Sequence, residues 1–327
     1  MRSLISAAFI VSNILFTRTP QFFKIYNLNL NYHHSIIERF ILLLSRIIKY
    51  GKISQCIMGK SQLKSEDANL ENKETFNLVA DEYERYRPVY PSEMFDDIFT
   101  YLNLNKEDSI LEIGCGTGQA TSGLVSKDYT NITCIELGSN LAQFTADKFK
   151  SYPSIQVINT SFEEWNNEEK RFQLIVSGTA FHFIDPEVGY NRAWELLENT
   201  GGIGLFWTIH VPVYDPLHNE IRSHYTALAP HLDDSQYPSP DEVIQERKEI
   251  TEKSGLFTDI EVKEYNWIQT CSSEEYVALL NTNSKHQQLS IDVRRSLLER
   301  VKDSIDAAGG TIEKQHKVAL FLGKKKV

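Results

Sequence analysis

The 327-residue chain contains no C-x-x-C pair. Its four cysteines, Cys56, Cys115, Cys134 and Cys271, are scattered. That argues against a disulfide scaffold or a cysteine-based zinc site and suits a reducing compartment, so a cytoplasmic location is expected. The apolar stretch at 4–16 falls short of the ~20 residues a spanning helix needs, and Ser6, Ser12 and Asn13 dilute it. Positive charge is scarce in most of the chain. Residues 65–327 carry 25 Lys/Arg against 43 Asp/Glu, a net of −18. A body this acidic is a poor generic partner for nucleic acid, whose non-specific affinity comes from Lys and Arg on phosphate. No internal repeat is visible. With 41% hydrophobic and 24% charged residues, neither wholesale disorder nor a collagen-like chain fits.

Residues 1–64 differ in kind. They hold nine Lys/Arg and one acid, Glu38, a net of +8. Ile37, Phe40, Ile41, Leu44, Ile47 and Ile48 recur at helical spacing with Arg39, Arg46 and Lys49 between them. Three readings stand: a membrane or targeting segment, a helix packed on the main body, or an upstream extension of a reading frame that starts at Met58. The last is preferred, because Met58 opens a normal polar start where the charge regime changes. Membrane contact is expected only if this segment belongs to the working protein. The domain boundary is placed at 64/65.

From about residue 72, strand and helix signals alternate. Runs at 109–114, 131–137, 155–160, 172–178 and 202–208 read as strands, with helical patterns between them, one at 186–198. This predicts an α/β fold: a mostly parallel, Rossmann-like sheet of seven strands with helices on both faces. Residues 209–258 are too long for an ordinary connection and are expected to form a helical lid over an acceptor pocket, or else a contact between copies.

Ligands of such sheets bind at the carboxyl ends of the strands. The first strand ends in Gly114-Cys115-Gly116-Thr117-Gly118, whose alternate glycines let backbone approach a ligand. The second ends in Glu136, 22 residues after Gly114, about where an acid binds both ribose hydroxyls. The third is followed by Ser161, Phe162 and Glu163, an aromatic and an acid suited to an adenine ring. The fourth runs through Ser177 to His182. A glycine-rich turn or a single acid carries little alone; their occurrence in order, at successive strand ends, carries much more. Position 119 is Gln, so the third glycine falls one residue early for the dinucleotide G-x-G-x-x-G, and no Walker lysine follows.

These residues resemble class I S-adenosylmethionine-dependent methyltransferases. LEIGCGTGQAT (111–121) is similar to their first motif and CIELGSN (134–140) to the second. TSFEEW (160–165), FQLIVSGTAFHFID (172–185) and LLENTGGIGLFW (196–207) resemble the third to fifth. FNLVADEYERYRPVYP (76–91), YVALLNTNSKHQQL (276–289) and IDAAGGTIEK (305–314) resemble the small-molecule branch related to trans-aconitate methyltransferases. The likeness covers about 72–325.

The resemblance implies S-adenosyl-L-methionine as cofactor and a small-molecule methyl acceptor. It implies that Gly114, Gly116 and Gly118 form the turn under the methionine part, that Glu112 orients that turn, and that Glu136 binds the ribose. Ser161, Phe162 and Glu163 would flank adenine, and Ser177 would meet the methionine end through its backbone. Tyr83 and Arg87 would close over the cofactor, and Arg87 would be available to a carboxylate. His182 would sit beside the transferred methyl. His182 and His286 are the candidate proton acceptors, since imidazole titrates near neutrality. Asn283 stands where the branch leads one to expect an aromatic. No [DN]-P-P-[FY], the signature of resembling enzymes that methylate exocyclic or amide nitrogens, follows the fourth strand. No metal cluster is evident. The alternatives are a tRNA- or protein-directed methyltransferase of the same fold, a non-catalytic S-adenosylmethionine-binding module and, more distantly, a nicotinamide-dependent oxidoreductase.

Overall fold

The structure, a computed structural model, describes residues 84–87, 89–166, 170–234 and 237–327. Tyr83, Cys56, Met58 and the basic amphipathic stretch at 36–49 lie outside the described residues.

Seven strands form one sheet in the order β3-β2-β1-β4-β5-β7-β6. They are β1 (Ile110–Ile113), β2 (Ile132–Glu136), β3 (Ile155–Asn159), β4 (Phe172–Gly178), β5 (Leu197–Ile209), β6 (Phe257–Ser272) and β7 (Thr311–Lys325). The first five run parallel; β7 is antiparallel to both β5 and β6, which points β6 the same way as β5. The mostly parallel sheet expected from the alternating signals is present.

Every residue of β1 and β2 is buried. Such continuous apolar strands need cover on both faces, and alternation sends neighbours to opposite sides. Leu111, Ile113 and Ile135 join a core with Tyr190 and Ala193 of helix α4 (Pro186–Leu196). Ile110 and Ile132 join a second core with Met94, Phe95 and Ile98 of α1 (Ser92–Leu102) and Leu124 of α2 (Gln119–Val125). Helix α3 (Ser139–Lys148) follows β2.

The 209–258 region divides. Helix α5 (Pro216–Leu228) leaves the sheet and contributes Ile221 to a third core. The acidic helix α6 (Pro240–Ser254), opened by a Ser239–Glu242 capping box, instead places Ile244 in the first sheet core beside α4 and β6. The rest of the third core comes from the β6–β7 connection: α7 (Ser273–Asn281), α8 (Ser284–Gln287) and α9 (Ile291–Ala307), through Tyr276, Leu297, Val301 and Ile305. The cap over the sheet's carboxyl edge is thus built from two separate connections. Beyond Ile209, where β5 stops pairing with Lys317, the β6–β7 ribbon continues alone to Ser272 and Thr311.

Candidate active site

The strand order reverses between β1 and β4, with β2 on one side and β5 on the other. This is the topological switch point where open α/β sheets bind ligands. A cavity of about 300 Å³ lies there, lined by Gly114, Gly116, Glu136, Ser161, Phe162, Glu163, Gly178, Thr179, His182 and Arg87 among others. Residues from four strand ends therefore meet at one place.

The three glycines have three reasons. All adopt positive φ, at +69°, +57° and +77°. A Cβ on Gly114 would lie 2.4 Å from the Ala180 Cβ, and one on Gly118 would lie 2.5 Å from the Phe149 ring. Gly116 meets nothing within 4 Å, so its missing side chain leaves room inside the cleft. Gly118 is not among the cleft-lining residues; it caps α2 and packs on the end of α3.

Glu136 accepts the Gly116 N–H at 2.9 Å and the Gly138 N–H at 2.8 Å. These two bonds fix the carboxylate at the cleft wall, which Glu136 lines. Asn159 braces the turn by donating to the carbonyls of Glu136 and Leu137. Glu112 lies beneath, fully enclosed, and accepts the Thr121 hydroxyl at 2.6 Å. Burial pushes its carboxyl up to about 7, and the Glu136 charge adds to that rise. Glu112 therefore ties β1 to α2 rather than facing a ligand. Ser177 is also buried below the cleft, its hydroxyl on the Ile113 carbonyl at 2.8 Å; Gly178 and Thr179 line the space above it.

Thr179 is a β-branched residue at φ +56°. That conformation is costly for such a residue and is commonly held in place at functional sites. Here the Thr179 N–H donates to the Phe206 carbonyl at 2.8 Å, and its hydroxyl oxygen accepts the Thr208 N–H at 3.3 Å.

Two candidate bases come out differently from the expectation. His182 lines the cleft, but its Nδ1 accepts the Trp207 indole N–H at 3.2 Å. A neutral imidazole with Nδ1 as acceptor carries its proton on Nε2. Partial desolvation against Trp207 and Phe183, with the Arg247 cation nearby, lowers its pKa although the residue keeps an exposed face. His182 is therefore arranged as a donor, because the lone pair a base would use is already engaged. His286 does not line this cleft. It is buried in the cap, with Nε2 2.7 Å from the Tyr225 hydroxyl and its pKa pushed down to about 4 by burial. It borders a second cavity of about 380 Å³, beneath α5 and α7. Arg87, Thr179 and Asn283 line both cavities, so the two adjoin. Arg87 donates from Nε and Nη2 to the hydroxyl and carbonyl of Thr282 at 3.0 and 3.2 Å, tying the segment before α1 to the cap.

The second cavity joins His210 and Arg222, which the sequence places in the expected lid, to Asp234 and Lys314, which it does not single out. His210 Nε2 is 2.8 Å from Asp234, which also takes the Arg222 Nε at 2.8 Å. Lys314 of β7 lines it too. These residues are 104 positions apart at the extremes, and only the two-part cap brings them together. Among the described residues, no group of His, Cys, Asp and Glu is placed to hold a metal ion. No described helix is long and apolar enough to cross a membrane.

Residues 91–184 match the ribosomal RNA adenine dimethylase family. The chain is 27% identical over 184 residues to malonyl-[acyl-carrier protein] O-methyltransferase 1 of Ilyobacter polytropus, covering 55% of this chain and 65% of that protein. It is 38% identical over 64 residues to an rRNA adenine N-6-methyltransferase of Lysinibacillus sphaericus, covering 20% of this chain and 26% of that protein. The chain spans 51–65% of the length of the first curated relatives it matches. A structure from Anabaena variabilis, designated a methyltransferase of an antibiotic biosynthesis pathway, superposes with a TM-score of 0.51 at 16% identity. That match covers 73% of this chain and 98% of that one. In sequence motifs and in fold the chain is similar to class I S-adenosylmethionine-dependent methyltransferases.

Proposed function

We propose that the body from residue 65 onward is a cytosolic enzyme that transfers a methyl group from S-adenosylmethionine to a small acceptor, free or carrier-bound. The observation that carries this reading is the convergence of Gly116, Glu136, Phe162, Glu163 and Thr179 from four strand ends on one cavity. The residues fit the cofactor: open space at Gly116, the Glu136 carboxylate at the end of β2 in the cavity wall, and an aromatic beside an acid at Phe162–Glu163. The malonyl-acyl-carrier-protein relative supports a small or carrier-bound acceptor.

In this reading Glu136 holds the ribose, Ser161, Phe162 and Glu163 flank the adenine, and the 114–118 turn lies under the methionine part. Arg87 closes the cleft against Thr282, with Tyr83 just before it in sequence. Bound S-adenosylmethionine supplies a sulfonium methyl group that a nucleophile displaces in line. The chain's task is then alignment and exclusion of water, which the cap over the second cavity serves. His182 offers its Nε2–H as a donor to whatever lies in the cleft. His286, behind Tyr225, positions the acceptor cavity's wall.

A ribosomal RNA substrate is the second reading, favoured by the family match at 91–184 and by the rRNA methyltransferase relative. That match ends at the cofactor half of the fold. The residues after β4 are Thr179-Ala180-Phe181-His182, without the Asn-Pro-Pro-aromatic run of nitrogen-directed enzymes. The test is methyl transfer from labelled S-adenosylmethionine into a cell extract separated into RNA, protein and small-molecule fractions. Label in the small-molecule or carrier-protein fraction is expected. Label confined to RNA would overturn the reading in favour of the second.

A further inference from the structure

The second cavity is unusual in its cations. Arg222 is satisfied by Asp234, Asn219 and the Val213 carbonyl, and Lys285 donates to the Tyr237 hydroxyl. Arg87 is bonded to Thr282. Lys314, by contrast, has no acceptor on its ammonium among the described residues, although it lines the same cavity. Asp234, the acid whose charge it senses, is already occupied by His210 and Arg222. Lys314 is half-buried, so its ammonium without a protein acceptor is partly desolvated yet open to a counter-charge brought by a ligand. Burial lowers the pKa of Lys314 accordingly.

Lys314 does not line the cofactor cleft. It stands on the part of the β6–β7 ribbon beyond the end of β5, opposite Gln269, and reaches the second cavity from the cap side. Around it are apolar and aromatic walls from Tyr276, Leu279 and Leu280. The volume of about 380 Å³ is that of a small-ligand site.

We propose that Lys314 is the anchor for an oxyanion on the acceptor, at an end of the molecule other than the atom that receives the methyl group. The acceptor is then an organic acid, carboxylic or phosphoric, with an apolar body. Its anion sits on Lys314, its body lies along Tyr276 and Leu279, and its reacting end faces the Arg87–Thr179–Asn283 junction between the cavities. This rests on the methyltransferase reading for the identity of the adjoining cleft.

The experiment uses the full chain saturated with S-adenosylhomocysteine. Phenylacetate, phenyl phosphate and neutral phenylacetamide are titrated calorimetrically into the wild type, Lys314→Met and Lys314→Arg. Saturable binding of at least one oxyanion is expected, weakened at least tenfold by Lys314→Met and largely retained by Lys314→Arg, while the amide binds no variant. The comparison of phenylacetate with phenyl phosphate tells a carboxylic from a phosphoric acceptor. Melting temperature of ligand-free Lys314→Met controls for folding and is expected to equal or exceed the wild type. As a second readout, the ε-carbon NMR signal lost in Lys314→Met is expected to titrate at higher pH when the bound oxyanion is present. Equal oxyanion affinity in wild type and Lys314→Met, amide binding equal to the acid, or no saturable oxyanion binding would each overturn the proposal. Failure of the wild type to bind S-adenosylhomocysteine would instead overturn the reading of the cofactor cleft.

Discussion

The Trp207 indole N–H donates to Nδ1 of His182 across 3.2 Å, and this one bond decides which proton the imidazole presents to the cleft. Trp207 is itself held by the Phe321 ring, edge-on at 5.3 Å, and by the Arg247 guanidinium 4.4 Å from its centroid. The indole is therefore a fixed donor. A histidine chosen from sequence as a proton acceptor becomes a proton-bearing donor through a neighbour 25 residues away.

Replacing Trp207 by Phe keeps an aromatic in the core and removes that donor. The His182 ring is then free to exchange tautomers. Nitrogen-15 NMR of the wild type is expected to show a single neutral tautomer protonated at Nε2 and still neutral at pH 5. Trp207→Phe is expected to show a mixture. A charged His182 at pH 6 in the wild type would contradict the arrangement.

Gly116 and Gly118 separate binding from folding. Gly118→Ala puts a methyl group 2.5 Å from the Phe149 ring at φ +77°, and should cost about 2–4 kcal/mol of stability. Gly116→Ala meets open space, so only the strain of φ +57° applies, about 1 kcal/mol. The expected outcome in denaturant titration is a large loss for Gly118→Ala and a small one for Gly116→Ala. In cofactor titration Gly116→Ala should nonetheless lose most of its affinity, because the added methyl group enters the cleft.

Glu112 gives a stability test with a definite sign. Its folded pKa, near 7, lies above the ordinary carboxyl value of 4.5. The folded state therefore holds its proton longer than the unfolded chain. Its contribution is fully present below pH 4.5 and is lost as pH rises through 7. Glu112→Gln copies the neutral form. Relative to the wild type it should gain little from pH at 4 and up to about 3 kcal/mol more at pH 8. Urea unfolding at the two pH values measures the difference; a gain that is the same at both would refute the buried neutral carboxyl.

His182 and His286 pull the other way. Both folded pKa values lie below the ordinary 6.5, that of the buried His286 at about 4, because desolvation penalises the cation. Their contribution is present above pH 6.5 and is lost as pH falls toward the folded values, at up to about 1.4 kcal/mol per pH unit for the buried His286 and less for the solvent-exposed His182. Replacing both by Gln should flatten the acid side of the stability profile between pH 6 and 4.5. An unchanged acid limb in that double variant would place the acid sensitivity elsewhere.

The sheet was readable because β1, β2 and β4 are short apolar runs ended by glycine or an acid, a local signal. Gly114, Gly116 and Glu136 were readable for the same reason: each closes a strand. Ser177 was expected to meet the ligand through its backbone; its side chain is turned onto the Ile113 carbonyl, and its neighbours Gly178 and Thr179 line the cleft. Tyr83 lies outside the described residues. The cap was only half legible. Helix α5 belongs to it, but α6 carries Ile244 back to the sheet, and the remainder comes from 273–310, which local periodicity does not link to α5. The His210–Asp234 pair, the Trp207–His182 bond and the isolated Lys314 are products of tertiary contact between distant segments. No spacing in the sequence announces them.

The central claim is that the cleft between β1 and β4 binds S-adenosylmethionine through Glu136. Calorimetric titration of S-adenosylmethionine into the full chain, with Glu136→Ala and Glu136→Gln alongside, tests it most directly. A carboxylate accepting two ribose hydroxyls contributes about 2–4 kcal/mol, so both variants should bind roughly 30-fold or more weakly while still folding. A wild-type chain that is folded and does not bind, or variants that bind as tightly as it does, would contradict the claim.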